Sequence, residues 1–166
     1  LLFNANLKGA VSSKAMEFCI SELIQLNRIA SEILTNYEIN AATDITGFGL
    51  AGHSFEMARA SKVTFAIDYS KVPVFDEAEA MSRLGFTTGV SASNLEMIEE
   101  TCDLSKLEAT SRELMVDPQT SGGLLVSVPR DQANSIIKEL AEAGLEAAAI
   151  IGEVMAYDDQ YYLRFS

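Results

Sequence analysis

Between Ile39 and Leu50 the chain changes character abruptly: an apolar segment, Ile39 to Ile45, runs into Thr46-Gly47-Phe48-Gly49 and then into a helical pattern. The segment is too brief to make a helix of its own, so it reads as a strand that delivers Asp44 at its end. The glycines that follow make a loop, and the helix is expected over about Leu50 to Ala60, with Ala51, Phe55 and Ala58 on one face and His53 and Glu56 pointing away. A second stretch, Asp117-Pro118-Gln119-Thr120-Ser121-Gly122-Gly123, likewise precedes a strand-like run, Leu124 to Val128. Two polar, glycine-bearing loops tied to short strands commit the chain to a layered fold of helices and strands.

The remaining segments fit that frame. Leu1 to Asn6 reads as a strand, and Lys8 to Ser12 as a loop from which Ser12 or Ser13 can cap a helix with Ala15, Cys19, Leu23 and Leu26 on its buried face. Asn27 marks a junction, beyond which Ile29, Ala30, Ile33 and Leu34 continue the helical spacing. Val63 to Ile67 is a strand by its β-branched and aromatic content. After Pro73 a short acidic helix is expected over about Asp76 to Leu84, then a loop over Gly85 to Asn94. Residues 95–104 are ambiguous, and Ser105 to Met115 is helical, ended by Asp117-Pro118. A helix with Ala133, Ile136, Ile137 and Leu140 on one face stops near Gly144, and Ala147 to Ala156 with Tyr161 to Phe165 predict a hairpin around Asp158-Asp159-Gln160. The order β, α, α, β, α, β, α, α, β, α, β, β indicates an α+β fold of mixed α/β layers, with helices packed on a mixed β-sheet. No repeat or linker interrupts residues 1–166, which are expected to form a single domain.

Charge narrows the partners. A net charge of -12 argues against a nucleic-acid surface, which would collect lysine and arginine. No apolar run nears the roughly 20 residues that span a bilayer, so no membrane partner is expected. Cys19 and Cys102 stand apart without a metal-binding or redox spacing, which fits reduced core cysteines and a cytoplasmic location.

Asp44 is the strongest candidate for chemistry. A carboxylate fixed at a strand end and followed by glycines suits a Mg²⁺ ion shared with substrate phosphates. Thr43 and Thr46 add hydroxyls, Gly47 and Gly49 let a phosphate approach the backbone, and the start of the next helix favours an anion. The same residues would equally serve as a plain helix cap and turn. Neither Gly-x-Gly-x-x-Gly nor a P-loop is present. The second loop reads as structural, with Gly122-Gly123 allowing close packing. His53 lacks an evident nucleophile or orienting partner, and Asp76-Glu77 and Glu99-Glu100 read as solvated faces.

Taken together, the two loops resemble a family. Ala42-Thr43-Asp44-Ile45-Thr46-Gly47-Phe48-Gly49-Leu50-Ala51-Gly52-His53 is similar to the Ala-Thr-Asp-Val-Thr-Gly-Phe-Gly-Leu-Leu-Gly-His signature of selenophosphate synthetases, also called selenide, water dikinases. Asp117 to Leu125 resembles that family's second signature, and Ile151-Gly152-Glu153-Val154 fits its closing pattern. The resemblance implies the carboxy-terminal domain of an aminoimidazole ribonucleotide synthetase-like fold. It further implies that the chain, which opens on Leu1-Leu2-Phe3 without methionine, is the carboxy-terminal half of a longer two-domain enzyme whose amino-terminal ATP-binding and dimerisation domain is absent. Two departures stand out: Ala51 replaces a leucine, and Thr88-Gly89-Val90-Ser91-Ala92-Ser93-Asn94 only loosely matches a Gly-Gly-Thr-x-Arg-Asn loop.

By that resemblance the full-length protein makes selenophosphate from selenide, ATP and water, releasing AMP and phosphate, and works as a homodimer. Asp44 matches a family magnesium ligand, with Thr43, Thr46, Gly47 and Gly49 as supporting positions toward ATP. Neither cysteine matches the family's reactive residue, and no catalytic residue falls in this stretch. A related ATP-dependent synthetase of the same fold, or a non-catalytic binding or regulatory module, are the alternatives.

Overall fold

Leu1, Leu2 and Ala5 are buried while Phe3, Asn4 and Asn6 face solvent, a spacing that suits one helical turn and its neighbour better than the alternation of a strand. In the structure, a computed structural model that describes residues 1–157 and 159–166, this segment is accordingly helix α1 (Leu2–Asn6), not the expected strand. Gly9, at φ +69°, turns the chain toward Ser12, whose hydroxyl caps α2 (Ser13–Leu23) by accepting from the Ala15 amide at 3.2 Å. Ala15, Met16 and Cys19 form its buried face. Leu26 lies beyond the helix and is 75% exposed, so the expected stripe ends one turn earlier. Asn27 does begin the next helix, α3 (Arg28–Leu34).

The central elements follow the expected order. Strand β1 (Ala41–Asp44) leads through the glycine loop into α4 (Gly49–Ser61), and Lys62, in the left-handed region at φ 53°, turns the chain into β2 (Val63–Ile67). A single 3₁₀ turn, Tyr69–Lys71, precedes α5 (Ala78–Arg83), which is shorter than its acidic composition suggested. The expected loop over Gly85 to Asn94 ends early, because Ser91 opens α6 (Ser91–Ile98). Its buried residues, Ser91, Asn94 and Ile98, keep helical spacing but are mostly polar, so apolar periodicity does not report them. Strand β3 (Cys102–Asp103), α7 (Ala109–Val116), β4 (Leu124–Ser127) and α8 (Arg130–Glu142) follow, the last ended by Gly144 at φ +88°. The chain closes with β5 (Gly152–Ala156) and β6 (Leu163–Phe165).

Two sheets result. β1 pairs antiparallel with β4 in a ribbon, and the other four strands lie in the order β3-β6-β2-β5. β5 and β6 therefore do not form the expected hairpin: β2 lies between them, antiparallel to β5 and parallel to β6. The tip proposed for that hairpin, at Asp158, lies outside the described residues. Burial explains the insertion. Thr64, Phe65 and Ile67 of β2 are buried, which marks a central strand with neighbours on both edges, whereas β5 is exposed along its length and takes an edge.

Helix α4 packs on both sheets and on α6 and α7. It supplies Ala51, Phe55, Met57 and Ala58 to the main core, alongside Phe65, Ile98, Met115, Val116 and Leu163. A smaller cluster of Leu34, Ile136 and Leu140, with Leu124 and Val126 against it, holds α3 and α8 on the β1/β4 ribbon. The fold is α+β, with helices packed on mixed sheets.

Candidate functional site

Because β1 and β4 run antiparallel with Asp44 opposite Leu124, the loop leaving β1 and the loop entering β4 emerge at the same end of the ribbon. Residues far apart in sequence are thereby brought side by side. The ladder continues past the strands: the Ile45 amide donates to Gly123 O and the Gly122 amide to Ile45 O, both at 3.0 Å. Farther out, the Gln119 amide donates to Thr46 O at 3.0 Å.

The glycines divide into two kinds. A Cβ on Gly122 would run into the Ile45 carbonyl oxygen, and one on Gly49, which also has φ +68°, would stand 2.7 Å from the Val116 carbonyl carbon. These two let the loops touch. Gly47 and Gly123 face open space, with nothing within 4 Å of an added Cβ. Gly47 is thus free for approach by a ligand, while Gly49 is spent on packing.

Asp44 is exposed, and among the described residues its carboxylate makes no hydrogen bond or ion pair. The Thr43 hydroxyl donates to Asp44 O at 3.1 Å, which uses its one hydrogen on the backbone. Helix α4 has no side-chain cap at Phe48, so neither Asp44 nor Thr46 acts as the cap that the plain structural reading required. The Gly49 amide donates to Thr46 O at 3.1 Å, and no side chain caps the start of this 13-residue helix.

His53 is better placed than the sequence suggests. Its side chain is only 12% exposed and does not point away from the protein. Nε2 lies 3.0 Å from the Thr46 hydroxyl, Nδ1 3.6 Å from Glu56 Oε2, and the ring tilts against Phe48 at 5.4 Å. The tautomer with its proton on Nδ1, toward Glu56, makes Nε2 the acceptor for Thr46. The partner that holds the ring is the Thr46 hydroxyl in the preceding loop, with the Glu56 carboxylate nearby, three residues along the same helix.

In the second loop the Asp117 carboxylate is largely buried, with the Leu1 nitrogen 2.9 and 3.1 Å from its two oxygens. Burial pushes its pKa up. Thr120 and Ser121 are exposed. Asn94, which composition placed in an irregular loop, sits instead in α6 and reaches the first loop at Gly47 and the end of α7 at Val116, just before the second loop. Nothing in apolar spacing could have flagged it. Burial pushes the Cys102 thiol up to about 12 and raises the Cys19 thiol as well, so neither is a ready nucleophile.

Among the described residues no group of three or more His, Cys, Asp or Glu side chains could hold a metal ion. One free carboxylate with open backbone beside it suits a hard, oxygen-seeking cation that takes its remaining ligands elsewhere.

Residues 4–162 match the family model described as AIR synthase related protein, C-terminal domain. A selenide, water dikinase 2 of Peptoclostridium acidaminophilum is 33% identical over 160 residues, covering 96% of this chain and 46% of that protein. A selenide, water dikinase of Bdellovibrio bacteriovorus is 45% identical over 123 residues, covering 74% of this chain and 35% of that protein. The chain thus spans half or less of the length of these curated relatives. Among solved structures, the hydrogenase maturation protein HypE in complex with ATP superposes with a TM-score of 0.53 at 23% identity, covering 81% of this chain and 33% of that one. E. coli HypE gives 0.53 at 20% identity, covering 85% and 35%. These likenesses show a shared fold.

Proposed function

The chain belongs to the family of AIR synthase related proteins, as a C-terminal domain, and from that premise we propose that it is the carboxy-terminal half of a selenide, water dikinase. The full-length protein would convert ATP, selenide and water into selenophosphate, AMP and phosphate. The observation that carries the reading is the joined pair of loops at one end of the β1/β4 ribbon, with Asp44 unpartnered at their mouth. Relatives named selenide, water dikinase that match nearly the whole chain support it, and so does the ATP complex of a protein of the same fold.

In this reading Asp44 holds Mg²⁺ together with ligands from the other half of the protein and from ATP. The metal would neutralise charge on the polyphosphate, the main requirement of phosphoryl transfer. The chain's own residues do the positioning. Gly47 gives the phosphates room at the backbone, and the first amides of α4 supply donors and a favourable dipole. In the tautomer with the His53 proton on Nδ1, the Thr46 hydroxyl donates to Nε2, presents lone pairs outward and so suits water or the cation better than a phosphate oxygen. Thr43 supports the strand end through Asp44 O. Gly49 contributes by letting the second loop pack. The reading carries with it a two-domain, homodimeric, cytoplasmic protein, with selenide as the second small-molecule substrate.

The test is AMP formation by the full-length protein. Production of AMP that depends on both ATP and selenide is expected. ATP consumption that ignores selenide and follows a purine precursor or a protein carboxy terminus would overturn the reading in favour of a related synthetase, and no turnover with an ATP partner would favour a binding module.

A further inference from the structure

We propose that Asn94 is a positioning residue for the Asp44 loop, an inference that rests on the reading above. Asn94 is 5% exposed, and its Nδ2 donates to Gly47 O at 2.9 Å and to Val116 O at 2.9 Å. Gly47 lies three residues past Asp44, and Val116 immediately precedes Asp117. One amide therefore fastens the tip of the first loop to the last residue of α7, from which the second loop departs.

The loops are not held equally along their length. Their base is fixed by the Ile45 bonds to Gly122 and Gly123, and their middle by Gln119 to Thr46. At the tip, Gly47 is exposed, has no side chain and meets nothing within 4 Å of a Cβ. The bond that joins Gly47 to the rest of the protein comes from Asn94. On the far side, Asn27 Nδ2 holds Gly122 O at 3.0 Å, so the second loop is pinned from two directions and serves as the fixed wall. Asn94 ties the first loop to the end of α7, where that wall begins.

Chemistry accounts for the residue type. The Val116 carbonyl is bonded in a buried place and the Gly47 carbonyl in a partly buried one, and the nitrogen of one primary amide carries two neutral hydrogens that serve both. Serine carries one hydrogen, and aspartate is isosteric but, ionised, would set oxygen against both carbonyls. The loose match of residues 88–94 to the family's loop falls on other positions: Val90 and Ser93 are exposed, while Asn94 is kept at the buried joint.

The experiment compares Asn94→Asp and Asn94→Leu with wild type in the full-length protein. Three readouts are taken: direct Mn²⁺ binding with a non-hydrolysable ATP analogue, the Mg²⁺ half-saturation of AMP formation, and amide hydrogen exchange. Both variants are expected to weaken Mn²⁺ binding and raise the Mg²⁺ half-saturation by about tenfold, the equivalent of one net hydrogen bond to the loop, with the KM for selenide little changed. Exchange should accelerate at Gly49 and Gln119, whose amides both donate to Thr46 O, while β2 stays protected. Asn94→Asp preserves shape, so it decides the matter if Asn94→Leu does not fold. Cation binding within twofold of wild type in Asn94→Asp, with exchange at Gly49 and Gln119 unaltered, would overturn the proposal. Wild-type protein that binds Mn²⁺ yet forms no selenide-dependent AMP would overturn the functional reading instead, and the binding and exchange comparisons would still judge Asn94.

Discussion

At the scale of single residues, what distinguishes the site is which polar groups are committed and which are free. Asp44 has no partner among the described residues, whereas Glu77, placed by composition on a solvated acidic face, has two bonds from one residue: the Ser12 amide at 2.9 Å and the Ser12 hydroxyl. Those bonds hold its carboxyl below the usual carboxylate range, and they help keep Glu77 in the left-handed region at φ 67°. A carboxyl with a depressed folded pKa stabilises the fold fully above its unfolded pKa and loses that contribution as pH falls through the folded value. Glu77→Gln should therefore flatten the acid limb of stability against pH below about 4.3, measured by denaturant midpoints across the acid range. An unchanged acid limb would contradict the assignment. Ser12→Ala removes the α2 cap as well and should cost about 0.5–2 kcal/mol in the same measurement. The cysteines give a third test. With Cys19 and Cys102 buried and both thiols shifted upward, neither should react with a thiol reagent until the chain is unfolded.

At the scale of elements, the strand-loop-helix unit from Ala41 to Ser61 was legible because each of its parts carries its own signal: a short apolar run, glycines, and then helical spacing. The termini of the sequence reading fared worse for identifiable reasons. Leu1 to Asn6 holds too few residues for alternation and helical spacing to be told apart, and α6 buries serine and asparagine where periodicity looks for apolar side chains. The hairpin was misread because antiparallel neighbours in sequence need not be neighbours in a sheet. Register shows β2 between β5 and β6. At the site, Asp44 and the two loops were visible, but the joint between them was not, since it depends on the β1/β4 register that brings Ile45 to Gly122. That joint makes its own prediction. Gly122→Ala drives a methyl into the Ile45 carbonyl and should destabilise the fold by about 1–3 kcal/mol, whereas Gly47→Ala, in open space with φ outside the left-handed region, should leave thermal stability close to wild type. Equal losses for the two would contradict the division between packing glycine and open glycine.

At the scale of the whole molecule, the chain presents one carboxylate and one loop mouth, with no metal cluster of its own among the described residues. It covers half or less of the curated relatives it matches. A site with so few ligands makes sense if the cation is shared across two halves of a longer protein, and the 166-residue chain by itself should then show no ATP turnover. The most direct test of that sharing is a Mg²⁺ titration of selenide-dependent AMP formation by the full-length protein and its Asp44→Asn variant. The variant should need far more Mg²⁺ or lose turnover altogether while keeping its thermal stability; superimposable Mg²⁺ curves at equal turnover would contradict the account.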